Sequence, residues 1–396
     1  MGVLRRLADR FDPPETRVVD AAALGLDLAT GRLINAAAAE NLSTVLACVA
    51  AIASAIASLP AFVFRRATAG RTIAEGHPLM RLVREGPNPH QSWPDWCEWT
   101  MASVLLRGNA LSQVVVDGAG RIEALVPIPW DCVSVQRLPS GRLAFDVVAF
   151  TGPFGATGRP RRLLEGEVLH LKDRSDDGLV GKSRLQRAAA VLSAGLSLQD
   201  FANALWENGA FPSGALELDG HLGEEAYNQL KTNFRDSFSG TKNAAKAMIL
   251  DQGVKWKSIA IAPEDAEVLA SRRFSTEELA RVFNVPPPII GDLSHGTFTN
   301  AETAGRWFAQ HTLAPWIRKF EAEVSRSVFA AGERATHALE LDLSGFLRGD
   351  PETRWRSHQI AIATGVLSPN EVREVEGFNP RPGGDTFTAA TPAAGP

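Results

Sequence analysis

Cysteine, net positive charge and long apolar runs are all scarce in this chain of 396 residues. The three cysteines, Cys48, Cys97 and Cys132, are far apart and odd in number. This pattern makes neither a disulfide framework nor a zinc site and predicts reduced, buried thiols. The 41 basic residues are outnumbered by 45 acidic residues, so the formal net charge is −4. A chain-wide basic surface for nucleic acid is therefore absent, and any contact with DNA is expected to be local.

No signal peptide is predicted, because the basic start of the chain is not followed by an apolar stretch. The membrane candidate is residues 45–64, a mostly Ala segment that Ser54, Ser58 and Pro60 interrupt. We predict a buried or amphipathic helix that ends before Pro60. No membrane partner is expected, although a helical membrane-associated protein remains the first alternative.

Recognisable catalytic motifs are also missing. Residues 178–183 read GLVGKS, like the end of a phosphate-binding P-loop, but Asp176 stands where that pattern needs glycine. Ser183 and Gln186 instead predict a helix capping box. The histidines form no HExxH motif, and no serine lies in GxSxG. We therefore predict no enzyme activity, no metal and no cofactor, with a P-loop nucleotide-binding protein as the second alternative.

Hydrophobic periodicity predicts helices on both sides of small β-rich units. The predicted helices are Asn41–Leu59, Asp95–Leu106, Arg184–Asn208, Glu224–Phe238, Pro263–Asn284, Ala301–Ala331 with a kink at Pro315, Pro351–Thr364 and a short one near Ser368. The predicted strands are Ala110–Val116, Ile122–Val126, Cys132–Leu138, Leu143–Ala149, Val168–Leu171, Gly214–Leu218, Ala247–Leu250, Lys255–Ile261 and Ala338–Leu343.

The predicted helix Arg184–Asn208 is apolar on two faces. One face carries Leu185, Ala189, Leu192 and Leu196, and the opposite face carries Val191, Ala194, Leu198, Phe201 and Leu205. A helix that is apolar on two sides must be covered on two sides, so it lies at the centre of a domain or between neighbouring subunits. The candidate subunit-interface residues are Val191, Leu198, Phe201 and Leu205.

Residues 285–300, VPPPIIGDLSHGTFTN, form a predicted loop that is long for a compact domain. Pro286, Pro287 and Pro288 end the preceding helix, because proline removes amide donors and fixes φ. Thr299 and Glu302 predict a capping box for the helix that follows. A loop of this length usually has a function or is disordered. The alternative to a functional loop is a simple connector between two helices.

Several short motifs occur in a fixed order. They are the helix end Ser58-Leu59-Pro60, then Pro87-Asn88-Pro89, Gly108-Asn109-Ala110, Asp177-Gly178-Leu179 with Gly181 and Ser183, Pro212-Ser213-Gly214, Pro263-Glu264-Asp265-Ala266, Arg273-Phe274, Phe283-Asn284-Val285-Pro286-Pro287, Thr299-Asn300-Ala301-Glu302, Leu347-Arg348-Gly349-Asp350 and Asn370-Glu371-Val372-Arg373 before Pro380 and Gly383-Gly384. Each is unspecific alone. In this order they resemble the portal protein family of tailed double-stranded DNA phages, over about Ser43 to Gly384.

The resemblance implies an α+β, predominantly helical portal fold that assembles as a ring, usually of twelve subunits, around a DNA channel. The implied divisions are an N-terminal arm (residues 1–35), a wing (36–182), a stem helix (183–210), a clip (211–262), a second stem helix (263–284), a tunnel loop (285–300), a long wing helix (301–334), a wing strand with a small crown (335–380) and a disordered tail (381–396). Little chain follows Arg381, as in the short portals of gene transfer agents.

The resemblance also assigns candidate sites. Tunnel-loop residues that would line the DNA channel are Leu293, Ser294, His295, Gly296, Thr297, Phe298, Thr299 and Asn300. Basic clip residues that would contact DNA or an acidic partner are Lys231, Arg235, Lys242, Lys246, Lys255 and Lys257. The alternative for the clip is an ordinary solvated surface.

The implied function is a ring at one capsid vertex through which double-stranded DNA is packaged and ejected. The implied partners are further copies of the chain, the packaging terminase, the major capsid protein and a head–tail adaptor. The implied location is a virion or phage-like particle, and the host cytoplasm during assembly. Packaging energy would come from a separate ATPase.

Overall fold

The computed structural model describes residues 26–27, 32–66, 70–148, 150, 160–207, 214–217, 223–225, 228, 232, 255–258, 275–293, 298–347 and 351–387. In chain order the helices are α1 (Ala36–Glu40), α2 (Ser43–Ala57), α3 (Pro78–Glu85), α4 (Trp93–Arg107), α5 (Arg184–Arg187), α6 (Ala189–Glu207), α7 (275–283), α8 (Phe298–Trp307), α9 (Ala314–Ser327), α10 (Ser344–Leu347), α11 (Pro351–Ala363) and α12 (Pro369–Val375). A π-helical segment, Phe308–Leu313, joins α8 to α9.

The described strands form antiparallel sheets. Their bounds are β1 (Leu26–Asp27), β2 (Arg32–Leu33), β3 (Ala61–Arg66), β4 (Arg71–Ile73), β5 (Asn109–Val116), β6 (Ile122–Ile128), β7 (Val133–Arg137), β8 (Leu143–Val147), β9 (Arg161–Leu164), β10 (Val168–Lys172), β11 (Gly214–Glu217), β12 (Lys255–Ser258) and β13 (His337–Leu341). The three-stranded sheets have the orders β10-β5-β6, β13-β3-β4 and β7-β8-β9, and β1-β2 and β11-β12 pair separately.

The main hydrophobic core lies around α2 and α4. Ile52 and Ile56 of α2 and Trp96 of α4 are fully buried there, together with Phe283 and Phe320 from the second half of the chain. A smaller core, which includes Leu111 of β5 and Phe145 of β8, joins two of the sheets. The predicted buried helix between residues 45 and 60 is confirmed, because α2 ends at Ala57 and Pro60 separates it from β3. No helix among the described residues has the length and apolar character to cross a membrane.

Capping residues set several helix starts where the sequence predicts them. The Ser183 hydroxyl accepts from the Leu185 amide, and the Gln186 side chain accepts from the Ser183 amide. Ser92 and Asp95 form a similar reciprocal pair, so α4 begins at Trp93, two residues before its predicted start at Asp95. Each pair satisfies amides that the first helical turn leaves without partners.

The predicted helix Arg184–Asn208 is divided into α5 and α6. Ala188, between the two helices, has φ −110° and ψ 24°, outside the helical range. Arg184 and Arg187 of α5 both bind the carboxylate of Asp173. These two ion pairs hold α5 against Asp173, and the helix is interrupted at Ala188 before α6 begins.

The predicted helix Ala301–Ala331 begins earlier and is not simply kinked at Pro315. Helix α8 already includes Phe298, so Thr299 lies within the helix and does not cap it. The irregularity precedes Pro315 and is the π-helical segment. Proline has no amide to donate to the carbonyl four residues earlier, which is that of His311. The Asn284 side chain donates to this carbonyl instead, at 2.9 Å.

Several short elements were not predicted, and part of the tail is ordered. The unpredicted helices and strands are β1, β2, α1, β3, β4, α3, β9 and α10. Residues 381–387 were predicted to be disordered, but the Arg381 amide donates to Asn370 Oδ1 and the Asn370 amide donates to the Gly384 carbonyl. Residues 388–396 lie outside the described part of the chain.

Candidate functional site

The GLVGKS segment is a structural junction. The amides of Leu179 and Val180 donate to Asp177 Oδ1, and the Gly181 amide donates to Asn109 Oδ1. A phosphate would need such amides free. Lys182 Nζ lies 3.3 Å from Asp176 Oδ2, the residue that departs from the P-loop pattern. The segment therefore offers no phosphate cradle, and the nucleotide-binding alternative loses its basis.

Two of the sequence motifs meet at this junction. A Cβ on Gly181 would lie 2.0 Å from the Gly108 carbonyl oxygen, and a Cβ on Gly108 would lie 2.5 Å from the Ser183 amide nitrogen. Only glycine permits backbones to approach this closely. Asn109 Nδ2 donates to the Gly181 carbonyl at 2.7 Å and so fixes the orientation of the Asn109 amide. The junction sets the position at which α5 begins.

The first half of the predicted tunnel loop is packed against the core. Val285 is buried, and Pro287–Ile290 forms a 3₁₀ turn whose Ile289 and Ile290 pack on the main core. Leu293, by contrast, is 62% exposed. Ser294, His295, Gly296 and Thr297 lie outside the described residues, whereas Phe298, Thr299 and Asn300 belong to α8. Of the predicted channel residues, Leu293 is thus the exposed apolar position that the structure defines.

Asn284 fastens the start of this loop to the π-helical segment. Its backbone is left-handed, with φ 60°. Its side chain donates to the His311 carbonyl, and its own carbonyl accepts from the Thr312 hydroxyl. These residues were missed in the sequence analysis. An Asn directly after a helix is, however, a known signal for a left-handed C-terminal residue.

An apolar groove of about 430 Å³ lies at the base of the loop. It runs between the end of α7 and the start of the loop on one side and α8 on the other. Its lining residues are Arg281, Asn284, Val285, Pro286, Pro287, Thr303, Ala304 and Trp307. The tryptophan is partly exposed, so the groove opens to the outside of the chain.

Helix α6 has one covered face and one open face, as its sequence predicts. Leu192 and Leu196 are buried in the main core. On the opposite side Leu198 is half-buried and Phe201 is 54% exposed. Val191, a predicted interface residue, instead packs against the main core of its own subunit. Leu205 belongs to α6, but its side chain is outside the described part. We define Leu198 and Phe201 as the open face of α6.

The predicted clip is described only in part. Strands β11 and β12 form an antiparallel pair in which Lys255 lies opposite Glu217 and Lys257 lies opposite Ala215. Residues 224, 225, 228 and 232 are helical, in agreement with the predicted helix. Lys231, Arg235, Lys242, Lys246 and the predicted strand Ala247–Leu250 lie outside the described residues.

Comparisons with known proteins identify the family. A family profile described as "Phage portal protein" matches residues 43–377. The chain belongs to the phage portal protein family. The portal protein of Enterobacteria phage HK97 is 29% identical over 350 residues, which cover 87% of this chain and 80% of the HK97 protein. The fold and the function are accordingly those of a portal protein, the connector between head and tail of a particle.

Solved structures with the same fold come from gene transfer agent particles. One, titled "Neck of empty GTA particle computed with C6 symmetry", is 26% identical, covers 85% of this chain and 90% of its own, and has a TM-score of 0.59. Another is titled "Neck of native GTA particle computed with C12 symmetry" and is 23% identical. The match covers 96% of this chain and 99% of the chain in that structure, with a TM-score of 0.58. Both structures share the fold of this chain over most of their length.

Proposed function

We propose that about twelve copies of this portal protein form a closed ring at one capsid vertex and that double-stranded DNA passes through it. The observation that carries the ring geometry is the open face of α6. Leu192 and Leu196 bind the helix to its own core, while Leu198 and Phe201 remain outside it. In a ring, each copy contacts the next through the same pair of surfaces. When the rotation closes the ring, such a face is covered in every copy. The C12 symmetry of the related neck supports the subunit number.

The tunnel loop is the proposed contact with DNA. Its start is held at a fixed place by Asn284 and by the buried Val285, so Leu293 is presented from a rigid base. The segment 285–300 contains one formally charged residue, Asp292. A loop with few charges suits DNA that must slide, because fixed ionic contacts to phosphates would hold it back.

The clip is the proposed docking surface for the packaging terminase and later for a head–tail adaptor. Between His221 and Lys257 the clip has six basic residues against four acidic ones, which supports contact with DNA or with an acidic partner. We further propose that the wing contacts the major capsid protein and that assembly begins in the host cytoplasm. The portal itself performs no catalysis in this proposal, and a separate ATPase supplies the packaging energy.

Deletion of Ser294–Thr297 tests the role of the loop. We expect rings to form normally, because Val285, Ile289 and Ile290 still hold the base of the loop in the core. We expect less DNA to be packaged or retained per particle, measured as the ratio of DNA to capsid protein in purified particles. A matched control replaces residues 294–297 with Gly-Ser-Gly-Ser and keeps the length of the loop.

The two variants distinguish the effect of the loop's length from the effect of its side chains. A normal DNA content in the control with a reduced content in the deletion means that the reach of the loop matters. If particles with the deletion fill and hold DNA like wild type, the loop is only a connector and its assignment to the channel is wrong.

A further inference from the structure

Four charged side chains meet where β10 ends and α5 begins. Asp173 is buried, with 5% of its side chain exposed. Its Oδ2 lies 2.9 Å from Arg184 Nε and 3.3 Å from Arg187 Nη2, and its Oδ1 lies 4.0 Å from Lys319 Nζ. We call these four residues the Asp173 cluster. Three positive charges thus surround one carboxylate.

Hydrogen bonds and aromatic contacts within the protein occupy the inner side of the Asp173 cluster. Asp173 Oδ1 also accepts from the Arg174 amide at 2.8 Å, and Arg184 Nη1 donates to the Val282 carbonyl at 3.3 Å. Arg184 and Lys319 both lie over the ring of Trp316, 5.3 and 5.2 Å from its centroid. These contacts hold the cations in place but bring no second negative charge.

Among the described residues, Asp173 is the one carboxylate within ion-pair distance of these cations. Burial lowers the pKa of Lys319, and the charges of Arg184 and Arg187 lower it further, while Asp173 raises it. The cluster therefore carries an excess of positive charge in a partly desolvated place. Such an excess favours the binding of an anion.

A groove beside the cluster gives an anion access. Its volume is about 380 Å³, and its lining residues are Asp173, Arg184, Arg187, Ala188 and Val282. The Arg187 side chain is 30% exposed and makes one of its contacts, through Nη2, with Asp173. A guanidinium offers several further N–H donors in a planar fork, which fits a carboxylate or a phosphate in two parallel hydrogen bonds.

We infer that this groove receives a carboxylate side chain from the adjacent copy of the chain in the ring. The inference rests on the ring proposed above. Ala188, which lines the groove, directly precedes the first residue of α6, so the groove lies at the start of the helix that carries the open face. A polar contact at the edge of an apolar interface is the usual arrangement between subunits.

A subunit carboxylate suits this site better than a phosphate of DNA. The cations are fixed by Asp173, Trp316 and Val282, and fixed arginine forks bind tightly and directionally. A contact between subunits is static, whereas DNA must move through the ring. Tight ionic contacts to phosphates would oppose that movement.

A zero-length cross-link tests the inference in assembled rings. Carbodiimide joins a carboxylate to an amine in direct contact, so we would treat rings of the Arg187→Lys variant with it. Mixed rings of unlabelled and nitrogen-15-labelled chains distinguish links between copies from links within one copy. We expect a mass-mapped peptide in which position 187 is joined to an acidic residue of the other isotope.

Ring stability provides the second readout. Arg187→Gln is expected to weaken association between copies at least about tenfold, seen by mass photometry as rings that dissociate at lower salt. Lys182→Gln is the matched control, because Lys182 forms an exposed pair with Asp176 on the nearby surface. Its rings are expected to dissociate at the wild-type salt concentration.

Several outcomes would overturn the inference. One is a cross-link only to Asp173 of the same copy, and another is equal salt stability of the Arg187→Gln and Lys182→Gln rings. Normal rings that retain less DNA in the Arg187→Gln particles would assign the groove to phosphate instead. In each case wild-type rings are present, so the ring itself stands. If wild type forms no ring, in particles as well as in solution, the proposed function and this inference fail together.

Discussion

Asn284 shows how a single residue can join two distant segments. It ends α7 in a left-handed conformation, which asparagine adopts more readily than most other residues. Its side chain then supplies the hydrogen bond that Pro315 cannot give to the His311 carbonyl. The start of the proposed tunnel loop and the π-helical segment are consequently fixed to each other through this residue.

Two substitutions at position 284 should separate these roles. Asn284→Gly keeps the left-handed conformation and removes the hydrogen bond, so we expect it to lower the free energy of unfolding by about 1 kcal/mol. Asn284→Ala also places a Cβ at positive φ, so we expect a further loss of about 1 kcal/mol. Urea denaturation followed by tryptophan fluorescence measures both. Equal losses in the two variants would contradict the conformational role.

We expect His170 to make the stability of the fold depend on pH. The ring stacks on Trp130 at 5.2 Å, and Nε2 donates to Asn109 Oδ1 at 2.9 Å, since that oxygen can only accept. Burial lowers the pKa of His170 to about 3, from 6.5. Between these values the unfolded chain binds a proton that the folded chain does not. Stability from this group is therefore lost as pH falls below about 6.5.

His170→Gln should reduce that loss. Between pH 6.5 and 5 we expect wild type to lose about 2 kcal/mol more of its free energy of unfolding than this variant does. Denaturant titrations at several pH values measure the difference. His90→Gln, at an exposed position, is the control and should follow wild type. A parallel decline of the wild-type and His170→Gln curves would show that His170 does not cause the pH dependence.

At the scale of elements, local sequence signals predicted where helices begin and end better than they predicted whether a helix is continuous. The Ser183 capping box and the proline stop after Asn284 are where the sequence places them. The division at Ala188 was not predictable from periodicity, because it depends on Asp173, which is distant in sequence from α6. The predicted strand Ala338–Leu343 is essentially correct, but its partner β3 was missed, because a six-residue strand directly after a long helix gives little periodic signal.

The π-helical segment offers a test of coupling between elements. Pro315→Ala restores an amide that can donate to the His311 carbonyl, which then depends less on Asn284. We expect Asn284→Ala to destabilise the Pro315→Ala protein by about 1 kcal/mol less than it destabilises wild type. A double-mutant cycle of denaturation free energies measures this difference. Additive losses would mean that the missing proline amide does not explain the Asn284 contact.

At the scale of the whole molecule, the candidate sites were predictable to different degrees. The two faces of α6 follow from helical periodicity, and the structure buries one of them. The Asp173 cluster was not predictable, because residues 172–177 are highly charged without a period, and only the fold brings Arg184, Arg187 and Lys319 to Asp173. Gly181 to Ser183 belong to the segment that partly resembles a nucleotide site. In the structure they combine with Gly108-Asn109 to form a structural junction.

Ring assembly should depend on the open face of α6 more than folding of the single chain does. Leu198→Glu places a charge in the proposed interface, where desolvation of an unpaired carboxylate costs several kcal/mol. In the single chain Leu198 is only half-buried, so the glutamate can reach water and the melting temperature should change little. We expect mass photometry to show mainly monomers or small oligomers.

The matched control is Asn203→Glu, which adds the same charge at another exposed position of α6. At about 100° of rotation per residue, position 203 points about 140° away from Leu198 and about 160° away from Phe201, so its rings should assemble. Two results would count against the interface. One is complete rings in the Leu198→Glu variant, and the other is an equal assembly defect in both variants, which would indicate a general effect of charge on α6. A large fall in melting temperature for Leu198→Glu would instead place Leu198 in the core of its own subunit.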